Sequence, residues 1–148
     1  KGTLQVDYRL FETGSSSIVS LASVGGAVGD IVKFGNTSTT EGKIYYLQTD
    51  GSWALTNSTN NTKGADELLA VAVGSNSTTD GMLLRGIVKT ASSLSNIGKA
   101  VYMHTTNGEV SETAPNSSNN IIRIMGYVTN ASDNQIYFNP DSTWIKHT

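Results

Sequence analysis

The two histidines, His104 and His147, and twelve carboxylates are the natural candidates for acid–base chemistry in this 148-residue chain, and cysteine is absent. A Ser-His-Asp hydrolase needs a base beside its nucleophile, with a carboxylate orienting that base. No Gly-x-Ser-x-Gly elbow is present to offer the nucleophile. His104 falls at the end of a predicted strand and His147 is next to the last residue. Glycoside hydrolysis requires two carboxylates facing one cleft. The one adjacent acidic pair is Asp66-Glu67, and Asp50, Asp80 and Asp133 read as turn residues. Gly25, Gly26 and Gly29 lack the Lys-Ser/Thr that completes a phosphate-binding loop, and they lead into a strand. Without cysteine, neither disulfides nor thiolate metal sites can form. The residues therefore predict a protein that is not an enzyme and needs no metal or cofactor.

Aromatic residues offer a different chemistry. Trp53 and Trp144 each follow a turn-like segment, Asp50-Gly51-Ser52 and Pro140–Thr143. Exposed beside loops, indole rings stack on sugars or anchor a partner protein. Turned inward, they close the ends of a barrel and bury most of ~200 Å2 each. Tyr46 and Tyr102 occupy matching positions and read as rim residues of a core.

A repeat positions these residues. Gly42-Lys43-Ile44-Tyr45-Tyr46-Leu47 returns as Gly98-Lys99-Ala100-Val101-Tyr102-Met103, and Leu68–Gly74 is echoed by Ile124–Asn130, both at a shift of 56 residues. A single insertion precedes Gly108. Asp50-Gly51, Asp80-Gly81 and Asn107-Gly108, with Asp133-Asn134 as a weaker fourth, lie between apolar runs and predict hairpins with type I′ turns. The expected pairs are Ile44–Thr49 with Ser52–Thr56, Leu68–Gly74 with Met82–Lys89, Ala100–Thr105 with Glu109–Thr113, and Ile121–Thr129 with Gln135–Asn139. Gly64–Val73 could be helical on propensity, but its partner Ile121–Val128 is β-branched. Two copies of one unit share a backbone, so both read as strands, with Leu68–Val73 buried on both faces.

The expected fold is all-β: a single β-barrel or β-sandwich of ten to twelve strands, with two pseudo-repeated halves and an N-terminal strand arm. Residues 1–41 form the arm and first strands, 42–97 the first repeat and 98–148 the second. Gly29–Phe34 resembles the opening strand of each repeat, a possible third partial copy. In the arm, Thr3–Glu12 alternates Leu4, Val6, Tyr8 and Leu10 on one face. Burying those four side chains against another subunit, or against the chain's own sheet edge, is worth on the order of 1.5–3 kcal/mol each.

Composition sets further bounds. The 34 Leu, Ile, Val and Phe residues suffice for a core, and a net charge of −2 gives no steering toward nucleic acid or acidic membranes. No apolar run approaches the ~18 residues of a membrane span, so no membrane insertion is expected. The 49 Ser, Thr and Asn residues suit exposed, turn-rich β-structure, and with so many the six Asn-x-Ser/Thr sequons read as compositional accident. Because the chain starts at Lys1, it reads as a processed product or a fragment.

Four strings carry a family resemblance: Gly42–Tyr46, Asp80-Gly81-Met82-Leu83-Leu84-Arg85-Gly86, Ile97-Gly98-Lys99-Ala100-Val101-Tyr102, and Gln135-Ile136-Tyr137-Phe138-Asn139-Pro140-Asp141-Ser142-Thr143-Trp144. Over about two-thirds of the chain, their order resembles modules of bacteriophage virion proteins, especially those of marine and cyanobacterial phages, and small capsid decoration proteins. The resemblance implies a non-enzymatic β-domain on the virion surface, assembled in the host cytoplasm and commonly homotrimeric. Its partners would be other virion subunits, the major capsid protein or a fibre. The alternative it implies is a tail-fibre or appendage domain that binds a host surface glycan or receptor.

Overall fold

Eleven strands and no helix make up residues 21–148, the part of the chain that the computed structural model describes. The all-β expectation holds. After β1 (Ala27–Val32), the first repeat contributes β2 (Ile44–Leu47), β3 (Trp53–Leu55), β4 (Leu69–Ala72) and β5 (Met82–Lys89). The second contributes β6 (Ala100–Met103), β7 (Val110–Ser111), β8 (Ile121–Ile122), β9 (Ile124–Asn130) and β10 (Gln135–Phe138), and β11 (Ile145–Lys146) pairs with β8. One antiparallel sheet runs β3-β2-β4-β5-β10-β9-β6-β7 and curls into a half-barrel, with β1 on the remaining edge of β5.

The repeat is visible in the register itself. Ile44 pairs with Val71 and, 56 residues on, Ala100 pairs with Tyr127. All four expected hairpins form. Their turns differ from type I′, because only the second residue of each signal takes a positive φ: Gly51 at 84°, Gly108 at 70°, Asn134 at 53°. At Gln48–Ser52, Gly51 N–H donates to the Gln48 carbonyl and Gln48 N–H to Ser52. That is a type I turn closed by a bulge, an equally good source of strand twist. Asp80-Gly81 instead ends a longer loop between β4 and β5. Gly29–Phe34 departs from the opening-strand likeness too, since β1 pairs with β5 whereas β2 and β6 head hairpins.

Packing reveals what the repeat hides. β4 is buried on both faces, as its unbroken apolar run requires: Leu69 and Val71 enter the main core, Ala70 and Ala72 a second cluster. That second cluster contains Tyr45, Trp53 and Met82, with Leu47 and Leu84 packed against it. Their counterparts by strand pairing in the second half, Val101, Val110, Ile136, Met103 and Phe138, all belong to the main core. Apart from Leu69 and its counterpart Met125, which both reach the main core beside an irregularity in the β6–β9 register, the two halves therefore turn opposite faces of the same unit into one interior.

Two devices allow this. Phe138 is fully buried and pairs across the sheet with Gly86 on one side and Gly126 on the other. Gly86 and Gly126 hold φ of 147° and 158°, and a Cβ on Gly126 would run into the Tyr137 carbonyl oxygen. The free ends of the sheet then meet at Gly108. Its carbonyl accepts from Ile44 N–H at 2.8 Å and its N–H donates to Thr56 at 2.8 Å. Lys43 Nζ adds an ion pair to Glu109 at 3.0 Å.

Gly126→Ala is expected to destabilise the protein by on the order of 3 kcal/mol in urea unfolding, combining steric conflict with backbone strain. Gly51→Ala, where nothing lies within 4 Å of the added carbon, should cost only about 1 kcal/mol. Equal losses at the two sites would contradict this account of the curl.

Candidate functional site

Trp53 opens β3, and its neighbours fix its role. The indole is 3% exposed. Its Nε1–H donates to the Phe34 carbonyl at 3.1 Å, and its backbone N–H donates to Thr37 Oγ1 at 2.9 Å. The Phe34 ring lies against it at a centroid distance of 5.2 Å, tilted by 45°. Of the two roles open to this residue, it takes the inward one, sealing the outer cluster under the segment that follows β1. No indole face remains for a sugar or a partner. Trp144 is half-buried in the segment between β10 and β11, beside the exposed Ile145. The structure does not bring Trp53 and Trp144 together as one site. Leu4, Val6, Tyr8 and Leu10 lie outside the described residues.

Open clefts mark the surface of the described residues. One of about 380 Å3 is formed by Tyr46–Asp50, Thr62 and Glu67. Another of about 270 Å3 is formed by His104, Thr105 and the loop from Ser111 to Asn120. These two sit at equivalent places, since His104 follows Gln48 by 56 residues. A third, about 350 Å3, lies on the other side of His104, with Ser92, Glu109 and Glu112. In the first cleft, burial, helped by the nearby Glu67 charge, pushes the Tyr46 hydroxyl up from its ordinary value.

Several polar groups in these clefts are spent on the chain's own backbone. His104 Nδ1 accepts from the Thr106 backbone N–H at 3.0 Å. Glu112 accepts from the backbone N–H groups of Ser95 and Asn96 at 2.7 and 2.9 Å. Ser92 Oγ accepts from Val110 N–H at 2.9 Å. Among the described residues, no group of three or more His, Asp or Glu side chains is placed to hold a metal ion.

Arg123 is the strongest polar centre, and the sequence reading passed over it. It lies between β8 and β9 and is 7% exposed. Its Nη1 donates to the carbonyls of Gly64 at 3.0 Å, Ala65 at 2.8 Å and Glu67 at 3.3 Å, and its Nε to Asp141 at 2.7 Å. The cation thus ties the loop before β4 to the segment after β10. Burial pulls the guanidinium below its usual pKa, and the charges of Glu67, Asp141 and Asp66 oppose that pull. A lone charge inside the apolar run Ile121–Val128 was the signal available, because a buried charge must find partners. Glu67, its counterpart 56 residues earlier, is one of those partners through its backbone.

Asp80 plays a similar part at the β4–β5 loop. Asn76 N–H donates to its Oδ2 at 2.9 Å, and Ser75 Oγ does so at 3.3 Å. The Asn76 bond leads in holding the carboxyl below its ordinary value of 3.8.

No protein-family model, curated protein or solved structure matches this chain.

Arg123→Met is expected to lower unfolding free energy by about 2–4 kcal/mol, because it strands buried carbonyls that the guanidinium now satisfies. Denaturant titration reads this directly, and a loss under 1 kcal/mol would remove Arg123 from its structural role. For Asp80, a depressed folded pKa means stability that is present above the unfolded value and lost as pH falls through the folded one. Stability should therefore drop below about pH 4, and Asp80→Asn should flatten that acid limb in pH-resolved thermal melts.

Proposed function

We propose that the chain is a non-enzymatic structural protein of a bacteriophage virion surface, decorating or stabilising the capsid through contacts between subunits. One observation carries the non-enzymatic part. The strong polar groups of the described residues, Arg123, Asp80, Glu112 and the Lys43–Glu109 pair, hold backbone or close the sheet, and the two that share a cleft, Glu109 and Glu112, are engaged with Lys43 and with backbone N–H groups. Such an arrangement has the parts of a scaffold and lacks the convergent acid, base and nucleophile of a catalyst.

The virion assignment is supported by the resemblance. Its four strings fall largely on β2, β5, β6 and β10, the strands that set the curl and the core. The similarity is thus one of architecture, as suits a module displayed on a particle. Homotrimeric assembly with the major capsid protein or a fibre as partner belongs to the same proposal, as does a virion-surface location.

A tail-fibre or appendage domain binding a host glycan is the second reading. Trp144 would have to supply its stacking ring, since Trp53 is enclosed.

Cryo-electron microscopy of the intact particle separates the readings. Density for the half-barrel on the capsid lattice is the expected outcome. Density at an appendage tip would replace decoration with receptor binding, and absence of the chain from purified particles would overturn both.

A further inference from the structure

One cleft holds a side chain that the fold buries and leaves unbonded. Asn120 ends the loop before β8 and is 6% exposed. Its backbone is spent: the N–H donates to the Ser117 carbonyl at 3.1 Å, and the carbonyl accepts from His147 N–H at 2.8 Å. Its carboxamide has no hydrogen-bond partner among the described residues, yet neither amide atom is fully enclosed. The little surface that the residue keeps is therefore at the carboxamide. That surface faces the cleft of about 270 Å3 that Asn120 shares with His104, Thr105, Ala114, Pro115 and Ser117. A buried amide with nothing to bond costs free energy and calls for a cause.

The walls around it are fixed. Ser58 N–H donates to the His104 carbonyl at 3.0 Å, and the Ser58 carbonyl accepts from Ile121 N–H at 2.6 Å, so one residue ties the end of β6 to the start of β8. Pro115 is buried, and its ring sets its own φ. His104 Nδ1 accepts from Thr106 N–H at 3.0 Å. In the neutral imidazole the hydrogen then sits on Nε2, which remains a donor.

We propose that this cleft binds one unit of a neutral saccharide, with a vicinal pair of hydroxyls on the Asn120 carboxamide and a further oxygen on His104 Nε2–H. No Asp, Glu, Lys or Arg lines the cleft, so a charged ligand would lose hydration without gaining an ion pair. An apolar ligand would leave the amide unpaired. Asn120 offers an acceptor beside two donors, and the Thr105 and Ser117 hydroxyls can do both. Sugar hydroxyls also donate and accept, so each finds a match, while Ala114 and Pro115 give an apolar wall for the C–H face of the ring. The volume falls just below the ~300 Å3 at which drug-sized pockets begin, which suits a single ring. The corresponding cleft of the first repeat has another character: Gln48 stands in place of His104, and Asp50 and Glu67 make it acidic. The site needs no indole and does not rest on where the chain sits on a particle.

Titrating the full chain with methyl glucoside, methyl galactoside and N-acetylglucosamine, followed by amide NMR, tests this. At least one sugar should shift the Asn120 side-chain signals saturably, with a Kd on the order of 1 mM for so small a ligand. Asn120→Ala should weaken that binding about tenfold, and His104→Gln, which brings in the residue type of the first repeat, about threefold. Because the carboxamide bonds nothing in the fold, Asn120→Ala should melt at the same temperature as the parent chain. Unmoved Asn120 signals with all of these sugars would overturn the proposal, as would undiminished binding by Asn120→Ala. Glycerol binding as tightly as the sugars would also overturn it, reducing the cleft to a site for any diol. Binding of an acetylated, amidated Gly-Ser-Gly peptide in place of the sugars would do the same and assign the cleft to a protein partner. Each of these failures leaves the virion reading standing, since that reading is decided on the particle.

Discussion

The curl of the sheet at β5, β10 and β9 is the constraint on which the other features depend. Phe138 must enter the core between two strands that are themselves bending around it. Side chains at both cross-strand positions would block that entry, and Gly86 and Gly126 remove them. Their φ values lie where an L side chain is strained. Curvature in a β-sheet has to be built at particular positions, since a uniformly pleated sheet resists it. Without this bend, β2 and β3 could not approach the loop before β7, and the hydrogen bonds through Gly108 would have no partner.

Bending one continuous sheet has a consequence for the duplicated sequence. If both repeats presented the same face inward, the molecule would be a two-layer sandwich with equivalent halves. Instead the sheet passes through β5, which pairs with β4 at one end and β10 at the other along the same edge, while β1 holds the opposite edge. The second repeat reaches the interior with the face that the first turns outward. Related sequences thus meet different environments. Tyr45 and Met82 pack with Trp53 in the outer cluster, whereas their counterparts Val101 and Ile136 fill the common core. The divergence of side chains between the halves follows from this inversion.

Polar groups complete what apolar packing leaves open. Loops between short strands carry many unpaired carbonyls and N–H groups, which must be satisfied when buried. Arg123 serves one such cluster from a single guanidinium, and Asn57, Asp80 and Glu112 serve others. The abundant Ser, Thr and Asn residues act locally in the same way, as where Asn57 and Asn60 accept from Thr59 and Thr62 two residues on.

The sequence alone determined the class and the four hairpins. Hairpin register is set by neighbours in the chain, and alternating or continuous apolar runs report directly on one- or two-sided burial. The unbroken run in β4 and the echo between Ile44 and Ala100 were legible for that reason. Three things required the tertiary structure: which face of each repeat turns inward, the burial of Trp53, and the partners of Arg123. All depend on contacts between segments some twenty to sixty residues apart, such as Trp53 with Phe34 and Arg123 with Ala65. Local periodicity records that a face is apolar, but the direction of the sheet's bend decides what that face meets.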